Sequence, residues 1–490
     1  MRSKRRIDAT LPDAVQYLYI LHKSGANQYE AVKSLSENAA YFGDAAAEFS
    51  RVISDTELGI GIHEALKHLS LDTPSKKLRR FVAGYAASVR TTGDAVPYLE
   101  DMVSSMREEQ RILQEKYLSS LGVFAEIYLT LFVAGPLFAV IAGMVLGIIS
   151  SADTLGLSAI IYAVLPLGAV AYLILLDSMD STVSIPHRNF SEPKVFAGST
   201  AVQTAGEEKQ FASLKAYEKR RMRNEISENP FRYFIEYPER IFCISLPLGI
   251  LFSLPITENP YLWTAVFLLT VFVPFAVFYT LQTIRQRKAE ASVPDFCRRT
   301  SEYISQGMTL ADSVCLAAEN ETGILKREVK RVSSEIIWGD TAVSALIRFA
   351  NRIRLSSVNR MVILIKESGR FSSDASDMLS LNASEEKKRF LSAENRRNSM
   401  SMYTVIMYLA YFVFLFVTVV MLTVFLEAMS VTSVPTEIYE TLLVNAVLIH
   451  GICSGLAAGK LAEESVFAGV KHACIMFAAG TVVFLALGIV

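Results

Sequence analysis

At 490 residues the chain is long enough for several domains, and 51% of its residues are hydrophobic, with a mean hydropathy of +0.32. Charged residues still make up 20%, too many for a chain confined to the bilayer, and 48 Lys+Arg against 49 Asp+Glu leave a net charge that singles out no class of partner. The five cysteines, Cys243, Cys297, Cys315, Cys453 and Cys474, form no CxxC pair, so neither a disulfide framework nor a zinc site is expected.

Met1 to Arg6 is basic, but an amphipathic segment follows rather than an apolar h-region, so a signal peptide is not expected. Leu11, Val15 and Leu18 follow helical spacing up to a stop at Gly25, and Asn27 stands three residues before Glu30, as in a capping box. Gly43-Asp44, Leu58-Gly59-Ile60-Gly61 and Asp72-Thr73-Pro74 punctuate further short helices, and Gly93-Asp94 opens a last charged one, from Ala95 to Tyr117. About six helices with short connections predict an all-α bundle over residues 1–117. Residues 118–176 hold predicted spans one and two: an apolar stretch from Leu121 to Ile149, longer than the roughly 20 residues a bilayer core needs, then Leu155 to Leu176. Pro136 predicts a kink in the first, and Gly143 with Gly147 forms a GxxxG helix-packing pair.

Residues 177–240 form a polar, basic linker. Its block Lys215, Lys219, Arg220, Arg221 and Arg223 is read either as an anchor against anionic lipid or as a docking surface for an acidic partner. Sparse aromatic interleaving and the lack of a nucleic-acid motif argue against a nucleic-acid partner. Residues 241–282 hold predicted spans three and four, the third short and interrupted by Pro247 and Pro255. A second polar bundle over 283–400 ends in a charged helix that feeds spans five to seven over 401–490. In span six Gly451, Gly455 and Gly459 recur every four residues, a smooth face for a neighbouring helix.

The two bundles are copies. At an offset of 282, Pro12, Asp13, Gly25 and Asn38 face Pro294, Asp295, Gly307 and Asn320. At 280, Gly59, Ala65 and Leu66 face Gly339, Ala345 and Leu346. At 276, Gly93, Asp101 and Met102 face Gly369, Asp377 and Met378. A period this long means a duplicated domain rather than a solenoid. The positions Gly93, Asp101, Gly369 and Asp377 are read either as a shared contact surface or as a helix start with a hydrogen bond inside each bundle.

Lys and Arg mark the cytoplasmic side of short loops. The loops near 150–154, 257–260 and 427–437 carry none, whereas the linker carries ten. Both bundles and the linker are therefore expected in the cytoplasm, and seven spans put the C-terminus outside. No catalytic constellation is present and no cofactor or metal is expected. GLAAGK at Gly455 to Lys460 is one residue short of a phosphate loop and lacks its Ser/Thr. His450, inside span six, is read as a neutral histidine hydrogen-bonding a neighbouring helix or as an intramembrane functional group.

The duplicated order of apolar helix, Gly, capped helix, Gly-x-x-x-x-x-Ala-Leu, then Gly before a charged helix entering the membrane resembles the type II secretion F family. These are the polytopic platform proteins of type IV pilus-like machines. The residues carrying the resemblance are Gly25, Gly59 to Leu66 and Gly93 to Arg111, then Gly307, Gly339 to Leu346 and Gly369 to Lys387. With about seven spans and a long linker the chain is more similar to the archaeal branch, which includes the archaellum assembly protein J. The resemblance implies a non-enzymatic membrane platform, often a homodimer, on which a cytoplasmic hexameric ATPase docks and which helps add prepilin-like subunits to a filament. A secondary transporter or channel is the alternative, since repeats are common there too.

Overall fold

A computed structural model of the chain describes residues 4–150, 155–179, 190, 230–256, 259–368, 375–425 and 436–489. Among them there is no strand; the architecture is all-α. The basic block Lys215, Lys219, Arg220, Arg221 and Arg223 lies outside the described residues, as does Gly369. The chain divides into two compact units. One takes the residues up to Gln114, Phe190 and Arg285–Ala393, and the other takes the described residues of Glu115–Ser181, Ala201–Ile284 and Glu394–Val490.

The polar unit holds both copies. The first runs α1 (Lys4–Lys23), α2 (Gln28–Glu37), α3 (Ala39–Phe42), α4 (Asp44–Glu48), α5 (Ser50–Glu57), α6 (Ile62–Asp72), α7 (Lys76–Thr92) and α8, which begins at Val96 and ends at Tyr128. That is eight helices where about six were expected. The surplus is α3 and α4, four and five residues long, too short for a periodic apolar signal. Asn27 and Glu30 form a complete capping box on α2, with Glu30 N–H donating to Asn27 Oδ1 at 2.9 Å. Leu11, Leu18, Leu35, Phe49, Leu66 and Phe81 lie in one fully buried core. His22 is held between α1 and α7 by Tyr85, 2.6 Å from its Nε2, and burial pushes its pKa down to about 4.

Spans one and two contain a feature that the kink expected at Pro136 does not describe. α8 passes into a π-helical turn, Leu129–Ala134, before α9 (Gly135–Ser150). Past α10 (Leu155–Ala159), a second π turn, Ile160–Val164, precedes α11 (Leu165–Met179). Gly135 N–H reaches Thr130 O and Leu165 N–H reaches Ile160 O, both five residues back. Each widened turn closes just before a proline, Pro136 or Pro166, whose ring has no N–H and would crowd an ordinary α-helical carbonyl.

The segment after the linker agrees with the expectation that the third of the predicted spans is short. α12 (Pro230–Glu236) and a 3-10 turn lead to α13 (Phe242–Ser253), only 12 residues before a 3-10 turn over Leu254–Ile256. At 1.5 Å per residue α13 rises about 18 Å, against roughly 30 Å of hydrocarbon. Pro255 sits in the 3-10 turn that ends it. Among the described residues six helical segments are long and apolar enough to cross a membrane: Val96–Gly143, Gly156–Ser178, Pro260–Ser305, Ser376–Val424, Ile438–Glu463 and Val466–Ala486. The chain is a multi-pass membrane protein.

The second copy begins inside α14 (Pro260–Ser305), a 46-residue helix, and continues through α15 (Leu310–Glu319), α16 (Lys326–Ile337), α17 (Ala342–Ile353) and α18 (Ser356–Ser368) to α19 (Ala375–Val420). Thr309 caps α15 through Asp312 N–H. Phe296, Val329, Leu346 and Phe349 form its buried core. After α19 come α20 (Thr436–Glu463) and α21 (Val466–Ala486), a closely apposed pair of helices.

The glycines explain that closeness. A Cβ on Gly455 would stand 2.2 Å from Ala473 Cα, and one on Gly459 would stand 2.0 Å from Gly469 Cα. Replacing Gly459 with Val is expected to destabilise the protein by at least about 1–3 kcal/mol, because backbone atoms of α21 must move. Gly61→Ala, at a site with nothing within 4 Å, is the matched control. Thermal unfolding of the purified full chain reads both, and equal melting temperatures would contradict the packing argument.

Candidate functional site

Two long helices leave the polar copies for the apolar spans without a break. α8 carries the first copy onward from Val96, and α19 carries the second from Ala375. What orients these helices against the bundles is a set of ion pairs, all inside the polar unit.

Glu386 of α19 is almost fully buried, and Arg360 of α18 meets it through two hydrogen bonds, Nε to Oε1 at 2.6 Å and Nη2 to Oε2 at 2.8 Å. Three residues on, Arg389 reaches the first copy. It pairs with Asp13 of α1 at 2.6 Å and donates to Gln16 Oε1. Arg107 of α8 pairs with the buried Glu385 of α19, and Asn38 reaches the fully buried Glu367 at 3.5 Å. Ile363, Leu364 and Met378 of the second copy join the apolar core of the first. The two copies therefore share an interface that is part core and part paired charge.

Burial raises the carboxyls of Asp13 and Glu386, but Arg389 and Arg360 outweigh it and hold both below their ordinary range. Burial lowers the Arg360 guanidinium, yet Glu386 and Asp13 outweigh it and raise its pKa. The sign follows: carboxylates with depressed folded pKa stabilise fully above their unfolded values near 4. The contribution is lost only as pH falls through the depressed values. The interface is thus expected to hold throughout the neutral range.

In the membrane unit a second polar cluster gathers at the α20–α21 turn. Arg396 of α19 pairs with Glu464 at 3.1 Å, Lys460 with Asp177 of α11 at 2.7 Å, and Lys471 with Glu463. Tyr279 and Ser465 lie 3.0 Å apart, and Tyr408 lies 3.0 Å from His472 Nδ1. Glu464 adopts φ 57, the left-handed conformation that lets the chain reverse within three residues.

The sequence-selected positions divide. Gly93 has φ 75 and ends α7. Asp101 and Asp377 are exposed, and neither carboxylate makes a side-chain hydrogen bond or ion pair among the described residues. Gly143 faces Leu157 of α10, a Cβ there standing 3.4 Å away, while Gly147 lies within α9. A Cβ on Gly451 would stand 3.0 Å from the Tyr411 ring, and Gly455 and Gly459 face α21. His450 is fully buried; its Nε2 lies 3.2 Å from Ser454 Oγ, which lies 3.0 Å from the Tyr128 hydroxyl. The residues that sequence reasoning missed are Arg360, Glu386, Arg389 and Arg107. Their charge was visible within predicted helices, but pairing across copies leaves no local signal.

The family model described as type II secretion system (T2SS), protein F matches twice, over residues 14–143 and 296–423. An uncharacterized protein of Methanocaldococcus jannaschii is 21% identical over 503 aligned residues, covering 98% of this chain and 80% of the relative. No solved structure matches the chain.

Glu386→Gln is expected to cost about 3–5 kcal/mol, because it leaves Arg360 without its carboxylate. The double variant Glu386→Leu with Arg360→Leu is expected to recover part of that loss. Melting of the purified chain tests this, and a double variant no more stable than the single one would contradict the pairing. The two matches cover more than half of the chain and begin at the same point of each copy, so this chain belongs to the type II secretion system protein F family, whose members are membrane platform proteins of secretion and pilus machines.

Proposed function

We propose that this chain is the membrane platform of a filament-assembly machine of the type IV pilus or archaellum kind. A cytoplasmic hexameric ATPase docks on the two bundles. Its movements pass along α8 and α19 to spans that help move prepilin-like subunits from the bilayer into the filament. The observation that carries this reading is the ion-paired interface between the copies, in which both levers take part through Arg107 and Glu385. Force applied to either copy is shared by both helices. The family's duplicated segments start in the polar helices, which favours a coupling role over a transporter whose repeat lies in its spans.

The topology has two supports. Ion pairing keeps both copies on one side of the bilayer, so the chain crosses an even number of times between them. Three long spans lie there, and this reading takes α13 with its flanking 3-10 turns as the fourth crossing. The α20–α21 turn pairs with Asp177, which follows predicted span two, and with Arg396, which precedes predicted span five, and on this reading α21 runs away from that side. With the Lys/Arg-free loops outside, both bundles are cytoplasmic and Val490 is external.

Co-purification of the full chain with a secretion ATPase tests the reading. Wild type is expected to retain the ATPase. Replacing Lys219, Arg220, Arg221 and Arg223 with Glu is expected to abolish retention or filament assembly while sparing expression. Unchanged retention and assembly would remove the linker block from docking. Ligand-dependent flux in liposomes without ATPase would favour a transporter.

A further inference from the structure

The duplication lets one copy serve as a template for the other. At an offset of 280 the hairpin α5–α6 matches α16–α17 closely. Leu58-Gly59 and Trp338-Gly339 close identical left-handed turns, with Gly59 φ 94 and Gly339 φ 97. In both, the N–H of the next residue returns to the equivalent carboxylic residue's carbonyl: Ile60 to Asp55 at 3.0 Å and Asp340 to Glu335 at 3.2 Å. Leu66 and Leu346 are fully buried at the same place.

The polar groups between the paired helices differ in one respect. In the second copy Arg352 lies across the helices, with Nε 3.2 Å from Glu328 and Nη1 3.0 Å from Glu335; Arg348 also pairs with Glu335, at 3.0 Å. The equivalents of Glu328 and Glu335 in the first copy are Glu48 and Asp55, again acidic. The equivalent of Arg352 is Asp72, and that of Arg348 is His68, 3.1 Å from Asp55. The guanidinium is gone, and of the two acidic equivalents Asp55 lines the space it leaves while Glu48 does not. In its place lies an open cleft of about 230 Å³ lined by Arg51, Ser54, Asp55, His68 and Asp72. Asp72 is exposed and has no ion-pair or hydrogen-bond partner among the described residues, while Arg51 leans to Glu48 at 3.6 Å. Leu58, 82% exposed, closes the same hairpin.

We propose that the α5–α6 cleft of the first bundle receives an arginine side chain from a partner polypeptide. That side chain takes the place which Arg352 fills in the second copy. The acidic residues alone would not identify a ligand; the second copy does, because Glu335, the equivalent of Asp55, holds a guanidinium. The hairpins' charges agree. α5 and α6 carry Asp55, Glu57, Glu64 and Asp72 against Arg51 and Lys67. α16 and α17 carry six Lys and Arg against Glu328 and Glu335. The first hairpin therefore attracts a basic segment, and Leu58 offers it an apolar contact.

The inference rests on reading the bundles as a docking face for the ATPase, and two measurements separate the two ideas. In the first, carboxyls of the full chain in detergent are labelled with a carbodiimide and glycine ethyl ester and located by mass spectrometry. N-acetyl-arginine amide at millimolar concentration is expected to protect Asp72 and Asp55 at least twofold, leaving Glu57 unchanged. The citrulline analogue is expected to protect neither. Asp72→Arg, which restores the second copy's guanidinium and is tolerated by that fold, is expected to abolish the protection of Asp55. Equal protection by both probes, or none, would overturn the cleft as a guanidinium site. In the second, the purified ATPase is titrated against wild type and Asp72→Arg, with at least tenfold weaker binding expected for the variant. Equal binding would overturn the cleft as the ATPase's contact while leaving the docking reading intact. An ATPase that binds neither protein, with arginine protection intact, would overturn the docking reading alone.

Discussion

A carboxylate as buried as Glu386 is costly unless a cation meets it, and Arg360 meets it with a two-point contact that only one geometry satisfies. That requirement fixes which side of α19 looks inward. Once it is fixed, Arg389 can turn only toward Asp13 and Gln16, and Glu385 toward Arg107. Apolar packing of Ile363, Leu364 and Met378 supplies attraction without direction, whereas the ion pairs supply the register. The junction of the copies is therefore set by charge pairing on a hydrophobic base.

The junction is also one-sided. The equivalent of Arg360 in the first copy is Arg80, which is exposed, and the equivalent of Asp13 in the second is Asp295, also exposed. Gln110 and Leu113 stand where Glu386 and Arg389 stand in the second copy. After duplication each copy kept its core and specialised one surface to receive the other. Two first copies brought together would have Gln110 and Leu113 where the junction needs Glu386 and Arg389. The internal pair thus cannot be imitated by two first copies from separate chains.

Much of the fold was legible in the sequence because local rules wrote it. Gly25, Gly59, Gly307 and Gly339 stop helices with positive φ, and Asn27 and Thr309 start the next ones. Six apolar runs are long enough to show their nature by length alone. What escaped was non-local or too short to be periodic. Helices of four and five residues carry no phase, and a proline predicts disturbance without saying whether the helix kinks or widens. For the candidate site, the glycine face of span six was legible from its four-residue spacing, whereas Arg360 and Glu386 were two charges among many. Asp101 and Asp377, chosen because they repeat, stand exposed in both copies. Repetition marked common descent there and gave no indication of a bond.

The α20–α21 hairpin has a mechanical meaning as well as a packing one. Where Gly459 meets Gly469 no side chains lie between the two backbones, so nothing compressible separates them. Two helices joined in this way bend and slide as a single stiff strut. Arg396, on the helix that descends from the second bundle, grips Glu464 at the strut's hinge end. A displacement at that grip would therefore carry both helices together, much as a tiller moves a rudder.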